Sequence, residues 1–171
     1  SSVTIGAYKN SNPVFNNCHI VASQGCNSIA CSVRCAASPT FNNCTIEGAA
    51  NNGEYNTYAM GIYDSASPIL TGCNIVGGVS ETGSASTVLI ANAAAPILTG
   101  CTIINGIGNN SSAIEVGGGS RISASPCFNG CTIMYPVVSK QYIYPADFPD
   151  STDGNITVLP IENAPYFIHS I

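Results

Sequence analysis

Nine cysteines, nine acidic residues and two histidines are the side chains through which this chain of 171 residues would do chemistry. Five of the cysteines, Cys18, Cys44, Cys73, Cys101 and Cys131, are each followed two residues later by Ile. That is strand spacing, and it puts Cys and Ile on one face. A file of sulfurs along one face is a line, whereas zinc asks for a tetrahedron, and His19 and His169 are far apart in sequence. No metal and no cofactor are expected, and the five thiols read as small buried apolar groups. Cys26 and Cys35 fall outside that pattern and bracket a short loop. They are the expected disulfide of an oxidising compartment, with Cys26 to Cys31 as the competing pair. An odd count leaves at least one free thiol under either pairing.

The carboxylates are equally sparse where catalysis would need them paired. Before residue 136 they are Glu47, Glu54, Asp64, Glu81 and Glu115, never two on one strand, and the bases there are Lys9, Arg34 and Arg121. General acid–base work on a glycosidic bond needs two carboxyl groups facing one bond, or a base poised over the substrate. His19 adjoins Cys18 in sequence but points to the opposite side of its strand. A non-catalytic chain is expected. Glu54, Tyr55, Tyr58 and Glu81 lie in or beside loops that should share one edge, and they form the candidate ligand-binding set.

The elements that position these residues come from an internal repeat. A frame Pro-x-(Phe/Leu)-x-x-Cys-x-Ile starts at Pro13, Pro39, Pro68, Pro96 and Pro126, in steps of 26, 29, 28 and 30 residues. A fixed period of this size denotes a stacked solenoid. A second apolar alternation precedes each frame: Val3 and Ile5, Cys31 and Val33, Met60 and Ile62, Val88 and Ile90, Ile114 and Val116. Between Pro and Cys stand Asn16-Asn17, Asn42-Asn43, Thr71-Gly72, Thr99-Gly100 and Asn129-Gly130, which supply turn residues that tolerate left-handed backbone. Five coils stacked at about 4.8 Å would give an all-β prism about 24 Å long. Phe/Leu, Cys and Ile would run as columns inside it.

The phrases Gly61 to Ile75 and Ala95 to Ile103 resemble the right-handed parallel β-helix repeats of the pectate-lyase-like superfamily. More narrowly, they are similar to repeats of bacterial surface and secreted proteins in which a Ser-Pro precedes an Asn-Cys-Thr-Ile-like strand. The resemblance covers residues 1–135 and implies a right-handed parallel β-helix (solenoid). A C-terminal irregular and β tail follows over 136–171. The superfamily includes polysaccharide lyases and hydrolases alongside adhesins and fibres, so a carbohydrate-binding or carbohydrate-cleaving domain is the alternative to a structural one.

Composition narrows the setting. Charged residues make up 8% and the net charge is −5, against about 25% charged in an ordinary domain. With no basic cluster to neutralise phosphates, nucleic acid is not an expected partner. No apolar run reaches the roughly 18 residues of a membrane-spanning helix. The chain opens on Ser1-Ser2-Val3-Thr4-Ile5 without an initiator Met, as a mature or excised segment would. An extracellular or cell-surface setting is expected. Asn109, Asn110 and Asn155 match the short glycan-acceptor pattern.

The residues after each Pro include Val14, Ile69 and Ile97, an outward apolar stripe of the kind that is usually covered. The tail carries Tyr142, Tyr144, Tyr166 and Phe167, with Ile156 to Leu159 and Tyr166 to Ile168 reading as short strands. It either folds back over its own coils or packs on a neighbouring molecule, by strand addition for example. These residues are the assembly candidates. Self-association into a filament, or contact with other surface proteins, is the expected role, with glycans as a further partner. Ice binding ranks lower. The outward ranks through Asn16 and His19 are three residues apart across a turn, and His and Asn interrupt their Thr spacing.

Overall fold

The computed structural model describes residues 2–51, 55–109, 111–116, 124–136 and 157–161, and all of their regular structure is β. The chain lays down three strands per coil. The first coil gives β1 (Ser2–Ala7), β2 (Val14–Asn16) and β3 (His19–Val21), and the second gives β4 (Ser28–Val33), β5 (Thr40–Asn42) and β6 (Thr45–Glu47), followed by the short β7 (Ala50–Asn51). The third coil repeats this as β8 (Thr57–Ile62), β9 (Ile69–Thr71), β10 (Asn74–Val76) and the short β11 (Val79–Ser80). The fourth holds β12 (Ala85–Ile90), β13 (Ile97–Thr99) and β14 (Thr102–Ile104). The fifth holds β15 (Ile114–Val116), β16 (Cys127–Asn129) and β17 (Thr132–Pro136), and β18 (Thr157–Ile161) follows.

Like strands stack on like, all parallel, into a solenoid of three long sheets. The first runs β1-β4-β8-β12-β15, the second β2-β5-β9-β13-β16 and the third β3-β6-β10-β14-β17-β18. The five expected coils are thus five rungs, with four full turns between the first and last strand of the first two sheets. A small β7-β11 pair and a bridge between Val79 and Ile107 extend the stacking into the loops after the third sheet.

The interior columns follow the frame. Phe41, Leu70, Leu98 and Phe128 are wholly buried, and the ring of Phe15 stacks on Phe41 at 4.9 Å between centroids. Ile20, Ile46, Ile75, Ile103 and Ile133 form the adjoining column. In the first sheet the register sets Ile5 beside Cys31, Met60, Val88 and Ile114, and Ala7 beside Val33, Ile62, Ile90 and Val116. The pairing of Val3 with Ile5 as inward residues is therefore corrected by one step: the inward pair is Ile5 and Ala7, and Val3 is exposed.

Two kinds of tight turn close each coil. At the corner between the second and third sheets one residue is left-handed: Asn17 (φ 53), Asn43 (φ 51), Gly72 (φ 61), Gly100 (φ 59) and Gly130 (φ 60). After the first sheet come two consecutive left-handed residues, Lys9-Asn10, Cys35-Ala36, Asp64-Ser65 and Asn92-Ala93. Each of these turns is closed by an amide bonding the carbonyl three residues back, Ser11 to Tyr8, Ala37 to Arg34, Ala66 to Tyr63 and Ala94 to Ala91. Positive φ at both centres is the signature of a type I′ turn. Cys35-Ala36 does not advertise such a turn. It is held by the stack, where the Ala36 amide donates to the Asp64 carbonyl and the Asn10 amide to the Cys35 carbonyl.

The expected strand at Ile156 to Leu159 is β18, which pairs in register with β17, Thr132 beside Thr157 and Ile133 beside Val158. The described part of the tail thus adds a sixth rung to the third sheet. Tyr142, Tyr144, Tyr166 and Phe167 lie outside the described residues.

Candidate functional site

The sulfur column is a packing device. Cys44, Cys73, Cys101 and Cys131 are all buried, and each thiol donates to the carbonyl of the Phe/Leu residue one rung earlier: Phe15, Phe41, Leu70 and Leu98 in turn. The Cys18 amide in turn donates to the Cys44 sulfur at 3.4 Å. A small, polarisable side chain at the corner thereby fills space and meets backbone polar groups. Contacts with Cys131 and Cys73, together with burial, push the Cys101 thiol up. The hydrogen bond from Cys101 brings Cys73 and Cys131 to about 7. Neither is a usable nucleophile, because both sulfurs sit inside the prism with at most 1% exposure.

Cys26 and Cys35 are free and exposed, which corrects the expected disulfide. They lie at opposite ends of β4, whose six residues at about 3.3 Å each span about 17 Å. A disulfide needs Cα atoms within roughly 7 Å. The competing partner Cys31 is buried within β4 and is also free. Burial, followed by the neighbouring Cys44, pushes its thiol up to about 12.

Three of the four candidate ligand residues, Tyr55, Tyr58 and Glu81, are among the described residues. Glu54 lies outside the described residues. Tyr55 is exposed in the loop before β8, and its carbonyl accepts the Ser80 hydroxyl at 2.9 Å, so it shares the loop edge with the exposed Glu81. Tyr58 lies within β8, a strand of the first sheet.

A different constellation forms around Tyr58. Immediately after the last inward residue of β1, β4 and β8 come Tyr8, Arg34 and Tyr63, stacked one rung apart. The Arg34 guanidinium lies over the Tyr63 ring, 4.2 Å from its centroid, and Arg34 Nε donates to Ser32 Oγ at 3.1 Å. Both rings fold back over the strand, each onto a glycine. A Cβ on Gly61 would come within 2.7 Å of the Tyr63 ring, and one on Gly6 would overlap Tyr8. Further along the sheet Ser86 donates to Glu115 Oε2 at 2.9 Å, and Ser112 donates to Ser86 at 3.0 Å.

These groups act on one another. Tyr58 is raised by burial and then by the negative charge of Glu115. Tyr63 is raised by burial, with Tyr58 and Glu115 adding to it and Arg34 opposing. Both phenols therefore stay neutral hydroxyl donors well above neutral pH. The result is a shallow flank of two phenols, one stacked guanidinium, one carboxylate and serine hydroxyls. It offers ring faces and hydrogen bonds.

Sequence reading missed Tyr63, Arg34 and Glu115, although a signal for the first two existed. Tyr8, Arg34 and Tyr63 are separated by 26 and 29 residues, the same steps as the frame. Glu115 shows no such mark, because it enters through register alone, opposite Leu89.

The second sheet presents the other notable surface. Its strands face outward at two ranks, Val14, Thr40, Ile69, Ile97 and Cys127, and Asn16, Asn42, Thr71, Thr99 and Asn129. No charged residue stands in either rank. Val14, Ile69 and Ile97 are 60%, 42% and 41% exposed, and Asn42 Nδ2 donates to Asn16 Oδ1 at 2.8 Å. Compared with protein families, curated proteins and solved structures, the chain matches none.

Proposed function

We propose that this chain is a non-catalytic structural or adhesive solenoid module of the extracellular or cell-surface space, working by self-association or by contact with other surface proteins. The observation that carries this reading is the charge-free outer face of the second sheet. Its apolar rank spans four rung spacings, about 19 Å, with Val14, Ile69 and Ile97 open to solvent. A mostly apolar rank, broken by Thr40, beside a polar one on a rigid sheet is the form of a contact surface. The test is light scattering after size exclusion together with negative-stain images, comparing the chain with the Ile69→Lys/Ile97→Lys variant. Assemblies that shrink in the variant support the reading. A monomer of 17.5 kDa in both, with no partner captured on a cell surface, rejects it.

A second reading is favoured by one specific observation, the Arg34, Tyr58, Tyr63 and Glu115 flank. Half-buried phenol rings, a guanidinium and a carboxylate of balancing charge suit a neutral saccharide, stacked and hydrogen-bonded without being cleaved. This reading replaces the loop-edge set Glu54, Tyr55 and Glu81 as the binding surface and retains Tyr58.

A further inference from the structure

The two ends of the solenoid are unlike. Among the described residues β1, β2 and β3 are the terminal strands at one end, and β15, β16 and β18 at the other. Among the described residues the first two sheets end at the fifth rung, while β18 carries the third sheet one rung further. A second copy stacking head to tail in register would set its β1 on β15, its β2 on β16 and its β3 on β17. The third of these places is already taken.

We infer that β18 is a plug: it occupies the β17 edge to which β3 of a second copy would otherwise add, and so holds head-to-tail stacking off until it is displaced. This rests on the self-association reading. The occupant is argued from register. In the third sheet the residue after each Cys, or its equivalent, sends its amide back to the previous rung: Thr45 to the Cys18 carbonyl, Asn74 to Cys44, Thr102 to Cys73 and Thr132 to Cys101. Thr157 stands at that position on β18, and His19 stands at it on β3. Among the described residues no strand pairs with β3 on the side away from β6, and the His19 amide points to that side. Its side chain points outward, 60% exposed, 3.1 Å from Glu47. What β18 does for β17, β3 of another copy can do with the same inward Ile20. Addition along the axis does not close, so stacking once begun grows a fibre.

The backbone supplies the test. Strand amides alternate in direction, so proline at Thr157 and Leu159 removes the donors that face β17, whereas proline at Val158 removes one that faces away. Four proteins are compared by light scattering, negative stain and hydrogen exchange of the Ile133 and Tyr135 amides, which alternate with the Thr132 amide bonded to β14 and so face β18. They are the parent, Thr157→Pro/Leu159→Pro, the same with His19→Pro, and Val158→Pro. The expected result is lost protection at 133 and 135 and at least a doubling of mass with axial fibres in the double variant only, reversed by His19→Pro. Fibres in the parent that persist with His19→Pro overturn the plug and leave self-association standing. Loss of protection without any gain in mass overturns the plug, and the sheet-two variants then judge self-association on their own. Protection retained in the double variant also overturns it, since the pairing would not be what holds the strand.

Discussion

Replacing Gly100 by Ala isolates the cost of a left-handed backbone at the corner turn from every packing effect. Gly100 has φ 59, and a Cβ built there meets no atom within 4 Å. No clash and no new contact arise, so the change reduces to two opposed backbone terms. A left-handed alanine costs about 1–2 kcal/mol. The narrower unfolded ensemble of alanine returns about 0.4–1 kcal/mol. The expected loss is therefore about 1 kcal/mol. Gly100→Asn should cost less, because Asn17 and Asn43 hold the equivalent place in the first two coils at φ 53 and 51. The reverse substitution belongs to the other turn: Ala36→Gly and Ala93→Gly, at φ 58 and 62, should stabilise by about 1 kcal/mol for the same two terms taken with opposite sign. Urea melts read at constant slope measure all four. If Gly100→Ala proves as stable as the parent while Ala93→Gly is destabilising, the left-handed assignment of both turns is wrong.

Two further outcomes test the interior and the flank. Cys31 is neutral when folded, with its thiol pushed up to about 12 from 9.0 by burial. The unfolded chain releases that proton first, so stability from Cys31 is complete below pH 9 and declines as pH rises towards 12, by at most about 1.4 kcal/mol per pH unit. Denaturant melts at pH 8 and 10.5 should show a smaller decline in Cys31→Val than in the parent, and an equal decline would refute the assignment. On the flank, Tyr63→Ala and Arg34→Ala should each weaken binding in a neutral-oligosaccharide screen by roughly tenfold, the scale of a lost stacking contact, while Glu81→Gln leaves it unchanged. Glycan binding that follows Glu81 instead would return the site to the loop edge.

The fold was legible because this architecture repeats its rules. The inward rank of each second-sheet strand is Phe or Leu and that of each third-sheet strand is Ile, and a one-residue slip would turn either rank outward. The register of β5, β9, β13 and β16 therefore follows from spacing alone. Legibility fails where the stack overrides local preference. Cys35 and Ala36 are poor residues for consecutive positive φ, and bonds to the coils on either side reinforce the turn's own Ala37 to Arg34 bond to hold them there. The first coil shows the other limit. Val3 and Ile5 alternate as well as Ile5 and Ala7 do, and alternation alone does not choose between the pairs. Pairing with β4 chooses.

The candidate site was harder to read for a related reason. In a solenoid, neighbours in space come from equal positions in different coils, so a functional cluster is a column and not a motif. Cysteine spacing drew attention because it is regular, yet regularity in this fold marks the interior. The thiols repeat because each corner needs a small group that can reach a carbonyl. Functional residues should instead be sought where an outward column departs from its neighbours. Tyr8, Arg34 and Tyr63 depart in that way: bulky groups stand one residue past the strand, with Gly6 and Gly61 kept bare to receive the two rings. The glycines carry the argument. The tight corners also use glycine, but for its backbone, and Asn serves there equally well. Within the first sheet a side chain at Gly61 would meet the Tyr63 ring, so what the glycine preserves is the ring's place on the outer surface. A strand interior gives up contact and entropy by holding glycine. A ring kept flat on an exposed flank at that cost is better explained by what it faces than by what it covers.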